Sequence, residues 1–166
     1  SKPAAYIARL PERVLKNIFS NVFQTPKRDF HNQDGFAGIP NSQVSFLLLS
    51  RYDGDLREGI VELVDLTNFE VLHTWNPDID SFNKLVNQID EFEFLDRDQN
   101  EKRFILKHPQ LTQDGGLLFG SSILRKIDAC SNLVFHNTRD NFHHSIEIDI
   151  DGNIWAPSFL YPQSVA

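Results

Sequence analysis

The stretch from Phe142 to Ser158 (FHHSIEIDIDGNIWAPS) constrains the fold more than any other part of the chain. From Ile146 to Ile150 isoleucine alternates with acidic residues, which is the period of a β-strand with one buried face. Asp151-Gly152 supplies residues that tolerate a positive φ, and a second strand follows at Ile154 to Ala156. The stretch therefore predicts a β-hairpin with a buried isoleucine face.

Three apolar runs earlier in the chain have the length of strands. They are VSFLLLS, IVELVDL and EVLHTW, at Val44 to Ser50, Ile60 to Leu66 and Glu70 to Trp75. The string RYDGDLREG, read as a turn or loop, separates the first two runs, and Thr67-Asn68-Phe69 separates the second two. The pattern predicts a three-stranded meander.

A helical pattern follows Pro77. Apolar residues from Ile79 to Phe92 recur at helical spacing, and Asp78 or Asp80 is available as the N-cap. This spacing predicts one helix that ends near residues 90–94. The polar string DRDQNEK, Asp96 to Lys102, predicts a solvated loop.

The second half returns to β patterns and resembles the first half. Short strands are predicted at Phe104 to Leu106, Leu117 to Gly120, Ile123 to Asp128 and Leu133 to His136. Alignment of Asp128 with Asp65 places His136 on His73. Alignment of the Asp-Gly pairs at 114 and 151 places LTQDGGLLF on IEIDIDGNIW.

Repeated meanders of short strands are typical of a β-propeller, whose usual blade of about 40 to 45 residues is lengthened here by the inserted helix. The alternative is a single β-sandwich with coincidentally similar hairpins. A closed propeller needs roughly 4 to 8 blades, so about two to three blades make an incomplete piece. We therefore expect an all-β fold in which residues 44–166 are a partial propeller that continues beyond the chain end.

The first 43 residues are predicted to be an N-terminal helix and a linker. Apolar spacing favours an amphipathic helix from about Pro11 to Val22, which packs on its own domain or on a missing neighbour rather than on a membrane. Phe23 to Gln43 is rich in Pro, Gly, Asn and Gln without periodicity, which is typical of a loop.

Composition limits the class of partner and the context of the chain. The net charge of -7 argues against nucleic acid or an anionic membrane as the main partner. The single cysteine, Cys130, excludes an internal disulfide framework. No run approaches the ~20 apolar residues of a membrane span, and no signal peptide is visible. The absence of methionine suggests a trimmed or internal piece of a longer protein.

The histidines are the candidate site residues. His143 and His144 stand at the entrance of the hairpin, and Lys107 and His108 stand at a nearly equivalent place before the Asp114-Gly115 turn. In a propeller, equivalent places in successive blades converge on the central channel. Spacing alone leaves two readings of His144 open, a channel-facing functional residue or a ring bonded to a neighbouring blade.

A metal site is not expected. Adjacent histidines on a strand point to opposite faces, and no HxH, HExxH or CxxC spacing is present. His73 and His136 are expected to pack or bond locally. Asp151-Gly152-Asn153 lacks the acidic positions of a calcium loop.

Three stretches together resemble the bacterial arylsulfotransferases (arylsulfate sulfotransferases) and their uncharacterised relatives. They are KHPQLTQDGGLLFG, ILRKIDACSNLVFHN and FHHSIEIDIDGNIWAPS. The shared pattern is a K-I-D strand followed by Asn and an apolar run, which leads into an aromatic-His-His hairpin that ends in DGN. The resemblance is best over Arg103 to Ser158 and weaker over Val44 to Asn76, and it does not reach the first forty residues.

The resemblance implies a six-bladed propeller that moves a sulfuryl group from a phenolic sulfate ester to a phenol through a sulfated histidine. It implies no cofactor, no nucleotide sulfate donor, and a periplasmic or exported location. His144, and less closely His143, match an early-blade channel histidine that contacts the oxyanion or leaving group. The family's nucleophile lies in a later blade, so the isolated piece is expected to be catalytically incomplete and to need the remainder of its own propeller.

Two other functions stay open. A non-enzymatic propeller would bind a small ligand or protein at its channel face with the same histidines. A structural surface module is the third reading, and it is favoured if His144 is buried and bonded to the backbone.

Overall fold

A computed structural model describes residues 35–86 and 90–160. The predicted helix from Pro11 to Val22 lies outside these residues. Contacts divide the chain after Ala37, and all of the helices and strands given below lie in the unit that begins at Gly38. The described part is mostly antiparallel β-sheet with few helices, and one sheet is curled into a half-barrel, so the all-β prediction is confirmed.

The predicted three-stranded meander is present, with β1 at Phe46–Asp53, β2 at Glu58–Asp65 and β3 at Glu70–Trp75. All neighbours are antiparallel. The loop predicted over RYDGDLREG is wrong at both ends, because the first pairing continues as far as Asp53 opposite Glu58. The Asp53 side chain explains the shorter loop, since its Oδ1 accepts the N–H groups of Asp55 and Leu56.

The remaining strands form a four-stranded and a two-stranded sheet. The larger sheet has the order β4-β5-β6-β9, and β7 pairs with β8. Their bounds are β4 Gln110–Leu111, β5 Leu117–Ile127, β6 Leu133–Phe142, β7 Glu147–Ile148, β8 Ile154–Trp155 and β9 Ser158–Phe159.

All four strands predicted between Phe104 and His136 differ in the structure. Residues 104–106 form no strand, although Phe104 and Leu106 are buried. The two strands predicted between Leu117 and Asp128 are one continuous strand with an irregularity at Ser122, where φ is 61°. The strand predicted to end at His136 continues to Phe142, because its second half pairs with Ser122 and with β9.

The long helix predicted after Pro77 is wrong in its length. Helix α1 is only Ile79–Asn83, and Asp78 caps it by accepting the Ser81 N–H at 2.8 Å, as predicted. A 3₁₀ helix at Asp90–Phe92 and helix α2 at Leu95–Asp98 follow, so the segment predicted as a solvated loop begins as a helix.

The reason for the early end of α1 is tertiary. Asn83 is buried, and its side chain bonds Arg125 and the carbonyl of Gln99. Beyond it Leu85 is exposed, whereas Val86 turns inward to join Ile123. A continued straight helix would not satisfy these contacts.

The hydrophobic core lies between the two larger sheets. Its main cluster joins the meander, α1 and β5, and consists of Val61, Trp75, Ile79, Phe82, Phe104, Leu106, Leu117, Phe119 and Ile127. The opposite face of β5 packs Leu118 and Leu124 against Phe142 and Ile146. Both faces of the central strand are therefore covered, which explains why apolar residues occur on both of its faces.

The isoleucine face predicted for the last hairpin is wrong beyond its first residue. Ile146 is 1% exposed, but Ile148 is 37% and Ile150 101% exposed. Ile150 lies in the loop rather than in β7, and the two-stranded sheet of β7 and β8 pairs with neither of the larger sheets. Only Ile146 reaches the core under β5.

Three hairpin loops of the second half have the same backbone. They span Thr112–Gly116, Asp128–Asn132 and Asp149–Asn153. In each, the first N–H donates to the last carbonyl, and the fourth N–H donates to the first carbonyl. The fourth residue has a positive φ in all three, at Gly115, Ser131 and Gly152. The Asp-Gly alignment made from the sequence therefore corresponds to a real geometric equivalence between the loops before β5 and β8.

The alignment of Asp65 with Asp128 has weaker support. The loop after Asp65 closes through the Phe69 N–H to the Asp65 carbonyl, with φ 63° at Phe69. The loop after Asp53 closes in the same way through Arg57, also at 63°. The loops of the meander are therefore a second kind of hairpin, distinct from those of the second half.

Candidate functional site

The candidate site begins where β6 ends. Phe142 is the last residue of β6 and is buried, and the His143 N–H then donates to the carbonyl of Pro157 at 3.1 Å. His144 follows with φ 63°, a left-handed conformation that histidine adopts more readily than most residues. The chain therefore turns sharply at His144 before it enters β7.

The two histidine rings contact each other and an aromatic side chain. The ring centroids of His143 and His144 are 4.5 Å apart at an interplanar angle of 79°. On its other side His143 stacks on Phe159, with centroids 4.0 Å apart and planes at 29°. We call these three residues the histidine corner. The His143 ring is thus held between two partners.

The environment of His144 differs from the one expected if its role were only structural. His143 is half-buried and its Nδ1 is a buried atom without a partner, whereas His144 is exposed. Within residues 35–86 and 90–160 no hydrogen bond is made by the His144 side chain. The condition that favoured a structural surface module, a buried His144 bonded to backbone, is therefore absent from the structure.

Lys107 and His108 lie at a second corner, before β4. Both side chains are exposed, and His108 has φ 48° although it precedes Pro109. A left-handed residue before proline is unusual, because the proline ring crowds the preceding backbone. His108 leads through β4 into the loop at Thr112–Gly116, as His144 leads through β7 into the loop at Asp149–Asn153.

The structure brings together only part of the predicted site. His143 and His144 are in contact, but no hydrogen bond or ring contact in the described part of the chain joins Lys107 or His108 to them. What the two corners share is local geometry, a left-handed histidine followed by a short strand and the same loop.

An acidic loop lies next to the histidine corner along the chain. Asp149 accepts the indole N–H of Trp155 at 3.0 Å and the side-chain amide of Asn153 at 2.9 Å, both on Oδ2. These donors, together with the backbone N–H groups of Asn153 and Asp151, lower the pKa of the Asp149 carboxyl to about 2. The loop therefore keeps a fixed negative charge and holds the exposed Trp155 ring in place.

Sequence reasoning did not identify Phe159 or Trp155 as part of this surface. Both are large apolar residues that remain substantially exposed. The signal available in the sequence was their position, since Trp155 lies within, and Phe159 ends, the DGNIWAPSF string that follows the two histidines.

A buried polar group in β5 was also missed. Arg125 is 0% exposed, and its Nη2 donates to Asn83 Oδ1 at 2.6 Å. The cross-strand partner of Arg125 is His136. A weak signal was present in the sequence, an arginine inside the strand SSILRKI. His136 was expected to pack or bond locally, and its Nδ1 is buried without a partner. His73 does bond, through Nε2 to the carbonyl of Ala129 at 2.8 Å.

A cavity with a volume of about 200 Å³ lies elsewhere among the described residues. Its lining comes from the 3₁₀ helix, α2 and the β5 irregularity: Glu91, Phe92, Phe94, Leu95, Asp98, Gln99 and Ser122. None of the predicted site residues lines it. In the same part of the chain no group of three or more His, Cys, Asp or Glu side chains is placed to hold a metal ion.

Comparisons with known proteins returned no relatives: no family model, no curated protein and no solved structure matches the chain. Of the helices in the described residues, none is long and apolar enough to cross a membrane.

Proposed function

We propose that the chain is part of a β-propeller that transfers a sulfuryl group from a phenolic sulfate ester to a phenol. The observation that carries the proposal is the repeated corner: an exposed, left-handed histidine precedes two hairpins whose loops share one backbone. Equivalent corners in successive blades would converge at a channel. His108 and His144 are the residues that this arrangement would present to a ligand.

The antiparallel three-stranded meander supports the propeller as the architecture. In this proposal the hairpins β4–β5 and β7–β8 are inner strands of successive blades. Exposed apolar residues on the last hairpin, among them Ile148 and Trp155, are the surface that a further blade would cover. The remainder of the propeller is accordingly the first partner of this chain.

The reaction needs groups that act on a sulfuryl centre. An unprotonated imidazole nitrogen attacks sulfur, the bond from sulfur to the phenolic oxygen breaks, and the phenolate leaves with the electron pair and takes up a proton. The acceptor phenol then loses its proton, its oxygen attacks sulfur, and the nitrogen–sulfur bond breaks to restore the imidazole. Donors that face the sulfuryl oxygens stabilise both steps.

The residues of this chain have contact roles in the proposal. His144, exposed and turned out of the strand, donates to a sulfuryl oxygen or to the leaving phenolic oxygen. His143 supports the His144 ring edge-on at 4.5 Å. Lys107 and His108 supply positive charge and hydrogen-bond donors to the substrate anion from the other corner. The sulfated histidine belongs to another blade, and a periplasmic or exported location completes the proposal.

The test is release of nitrophenol from a nitrophenyl sulfate by the full-length protein, with and without a phenol acceptor. Acceptor-dependent release that falls at least tenfold in His144→Ala, the loss expected when a catalytic donor is removed, supports the proposal. Ser145→Ala, an exposed neighbour, is the matched control and should retain activity. Nitrophenol release that is unaffected by His144→Ala would support the enzymatic activity but contradict the role of His144 in the site.

A non-enzymatic propeller that binds a small ligand or protein is the second candidate. One observation favours it: in the described residues no carboxylate or carbonyl accepts a hydrogen bond from the His144 ring, although an activated catalytic histidine usually has an orienting partner. Absence of release with several aryl sulfates, together with saturable binding of one of them that His144→Ala weakens, would select this candidate.

A further inference from the structure

Arg125 is the least satisfied charged group of the described residues. It lies in the middle of β5, is 0% exposed, and faces the layer that contains α1. Only its Nη2 has a partner, the Asn83 side chain at 2.6 Å, whereas Nε and Nη1 are buried without one. A guanidinium carries five donors, so most of its capacity is unused.

Arg51 shows how this chain satisfies an arginine that has an internal partner. It binds Glu62 through two hydrogen bonds of 2.8 Å and Asp53 through a third of 3.0 Å. These carboxylates raise the pKa of Arg51 above its usual value, with the Glu62 bond as the largest cause. Arg51 remains partly exposed, whereas Arg125 is enclosed.

No carboxylate within residues 35–86 and 90–160 compensates Arg125. Burial alone lowers its pKa to about 10, and no acidic side chain contributes. A buried charge without a counter-charge is costly in free energy, and its removal from water is normally balanced by an ion of opposite sign. The described residues therefore supply no counter-charge for Arg125.

A second polar atom lies beside the free guanidinium. His136 is the cross-strand partner of Arg125, and its Nδ1 is also a buried atom without a partner. Burial, and then the Arg125 charge, lower the pKa of His136, so the ring is neutral near pH 7. In the tautomer with a proton on Nδ1, this atom is a further donor. His136 itself is half-exposed.

We propose that Arg125 and His136, with Asn83 orienting the guanidinium, form an internal binding site for a small oxyanion. The free groups are donors, and Arg125 supplies the charge and the planar geometry that match a carboxylate or a tetrahedral oxyanion. The enclosed position limits the ligand to a small anion or to the anionic end of a larger molecule. The proposal does not depend on sulfuryl transfer, because none of its residues belongs to the histidine corner.

The first test follows the Arg125 side chain directly in the full chain. The Nε–H signal of Arg125 is observed by nitrogen–proton NMR while acetate, sulfate and chloride are added separately. A saturable shift with acetate or with sulfate is expected, and which of the two saturates at lower concentration tells a carboxylate from a tetrahedral oxyanion. No shift, or equal non-saturating shifts with all three, means a hydrated arginine or an adventitious ion only, and overturns the proposal.

The second test uses thermal stability as the readout. The anion that shifts Arg125 should raise Tm saturably in the wild type. His136→Ala should weaken the apparent affinity about tenfold, the effect of one lost hydrogen bond to a charged group. Arg125→Met should abolish the dependence, and Arg139→Met, an exposed arginine of β6, should leave it unchanged. An equal Tm response in Arg125→Met would overturn the proposal, and the wild-type NMR titration decides it if that variant does not fold.

Discussion

The imidazole of His143 stacks on the ring of Phe159, with centroids 4.0 Å apart and planes inclined by 29°. The two residues flank the β7–β8 hairpin and meet because β6 pairs with β9 through Asn141 opposite Phe159. The contact fixes one face of His143 while its edge meets His144. The position of the histidine corner therefore depends on the last described strand.

Replacement of Phe159 by Leu should remove the aromatic stacking on His143 while an apolar side chain still fills the position. In the wild type, the ring current of Phe159 should shift the carbon-bound protons of the His143 imidazole upfield, and the shift should be lost in Phe159→Leu. Aromatic stacking contributes about 0.5 to 1.5 kcal/mol beyond burial, so the free energy of unfolding should fall by about that amount. Leu160→Ala, at the exposed neighbouring position, is the control. Unchanged His143 signals in Phe159→Leu would contradict the stacked geometry.

Asp149 should make the last hairpin sensitive to acid. Its carboxyl has a pKa of about 2 in the fold, against about 3.9 in an unfolded chain. A carboxyl whose pKa is lowered by folding stabilises the folded state at pH values above its unfolded pKa. This contribution is lost as the pH falls through its folded pKa. The difference in unfolding free energy between wild type and Asp149→Asn should therefore be largest above about pH 4. It should shrink toward zero as the pH falls to about 2.

The measurement is urea unfolding at a series of pH values, with Trp155 fluorescence as a local probe, because its indole N–H bonds Asp149. Asp151→Asn is the control, since the Asp151 side chain accepts no hydrogen bond in the described residues. A difference between wild type and Asp149→Asn that stays constant from pH 7 to pH 2 would contradict the prediction.

Arg57 occupies a position that favours glycine. Its φ is 63°, its side chain is exposed, and its N–H closes the loop onto the Asp53 carbonyl. The left-handed conformation costs a residue with a Cβ roughly 1 to 2 kcal/mol, so Arg57→Gly should be more stable than Arg57→Ala by about 1 kcal/mol. At Leu56, which has no positive φ, the order of the Gly and Ala variants should be reversed. Chemical denaturation of the four variants measures both differences.

Gly116 marks a close approach between the Thr112–Gly116 loop and the end of β5. A Cβ at this position would overlap the carbonyl oxygen of Ile127, which is backbone and does not move aside easily. Gly116→Ala should therefore destabilise the fold by about 1 to 3 kcal/mol. Gly54→Ala, with nothing within 4 Å of the added carbon, should be neutral. Equal midpoints of urea unfolding for the two variants would show that the loop adjusts freely.

The pairing of neighbouring strands followed well from the sequence. The β3 bounds, Glu70 to Trp75, agree with the prediction, and the Asp78 cap was among the two candidates named. The two histidines were expected to point to opposite faces of a strand, and this was wrong, because their rings are in contact with centroids 4.5 Å apart. Their left-handed turn at His144 was not predicted, because a single residue's φ leaves no periodic pattern in a sequence.

Residues 79–94 show why apolar spacing alone misjudged a length. The helical spacing is real, but the Asn83 side chain hydrogen-bonds Arg125 and the carbonyl of Gln99. Val86 then packs in a cluster with Ile123. The same limit applies to Ile148 and Ile150, whose alternation predicts a buried face although no sheet of the described residues covers them. Periodicity reports which residues can share a face, and it does not report what lies opposite.

The sequence by itself determined the hairpin loops, because their hydrogen bonds join residues within one short segment. Asp128 and Asp149 each accept backbone N–H groups of their own loop and the side-chain amide of an asparagine at its end. Only the tertiary structure decided the burial of Arg125 and the stacking of Phe159 on His143, because the first depends on packing against Asn83 and the second on the pairing of β6 with β9.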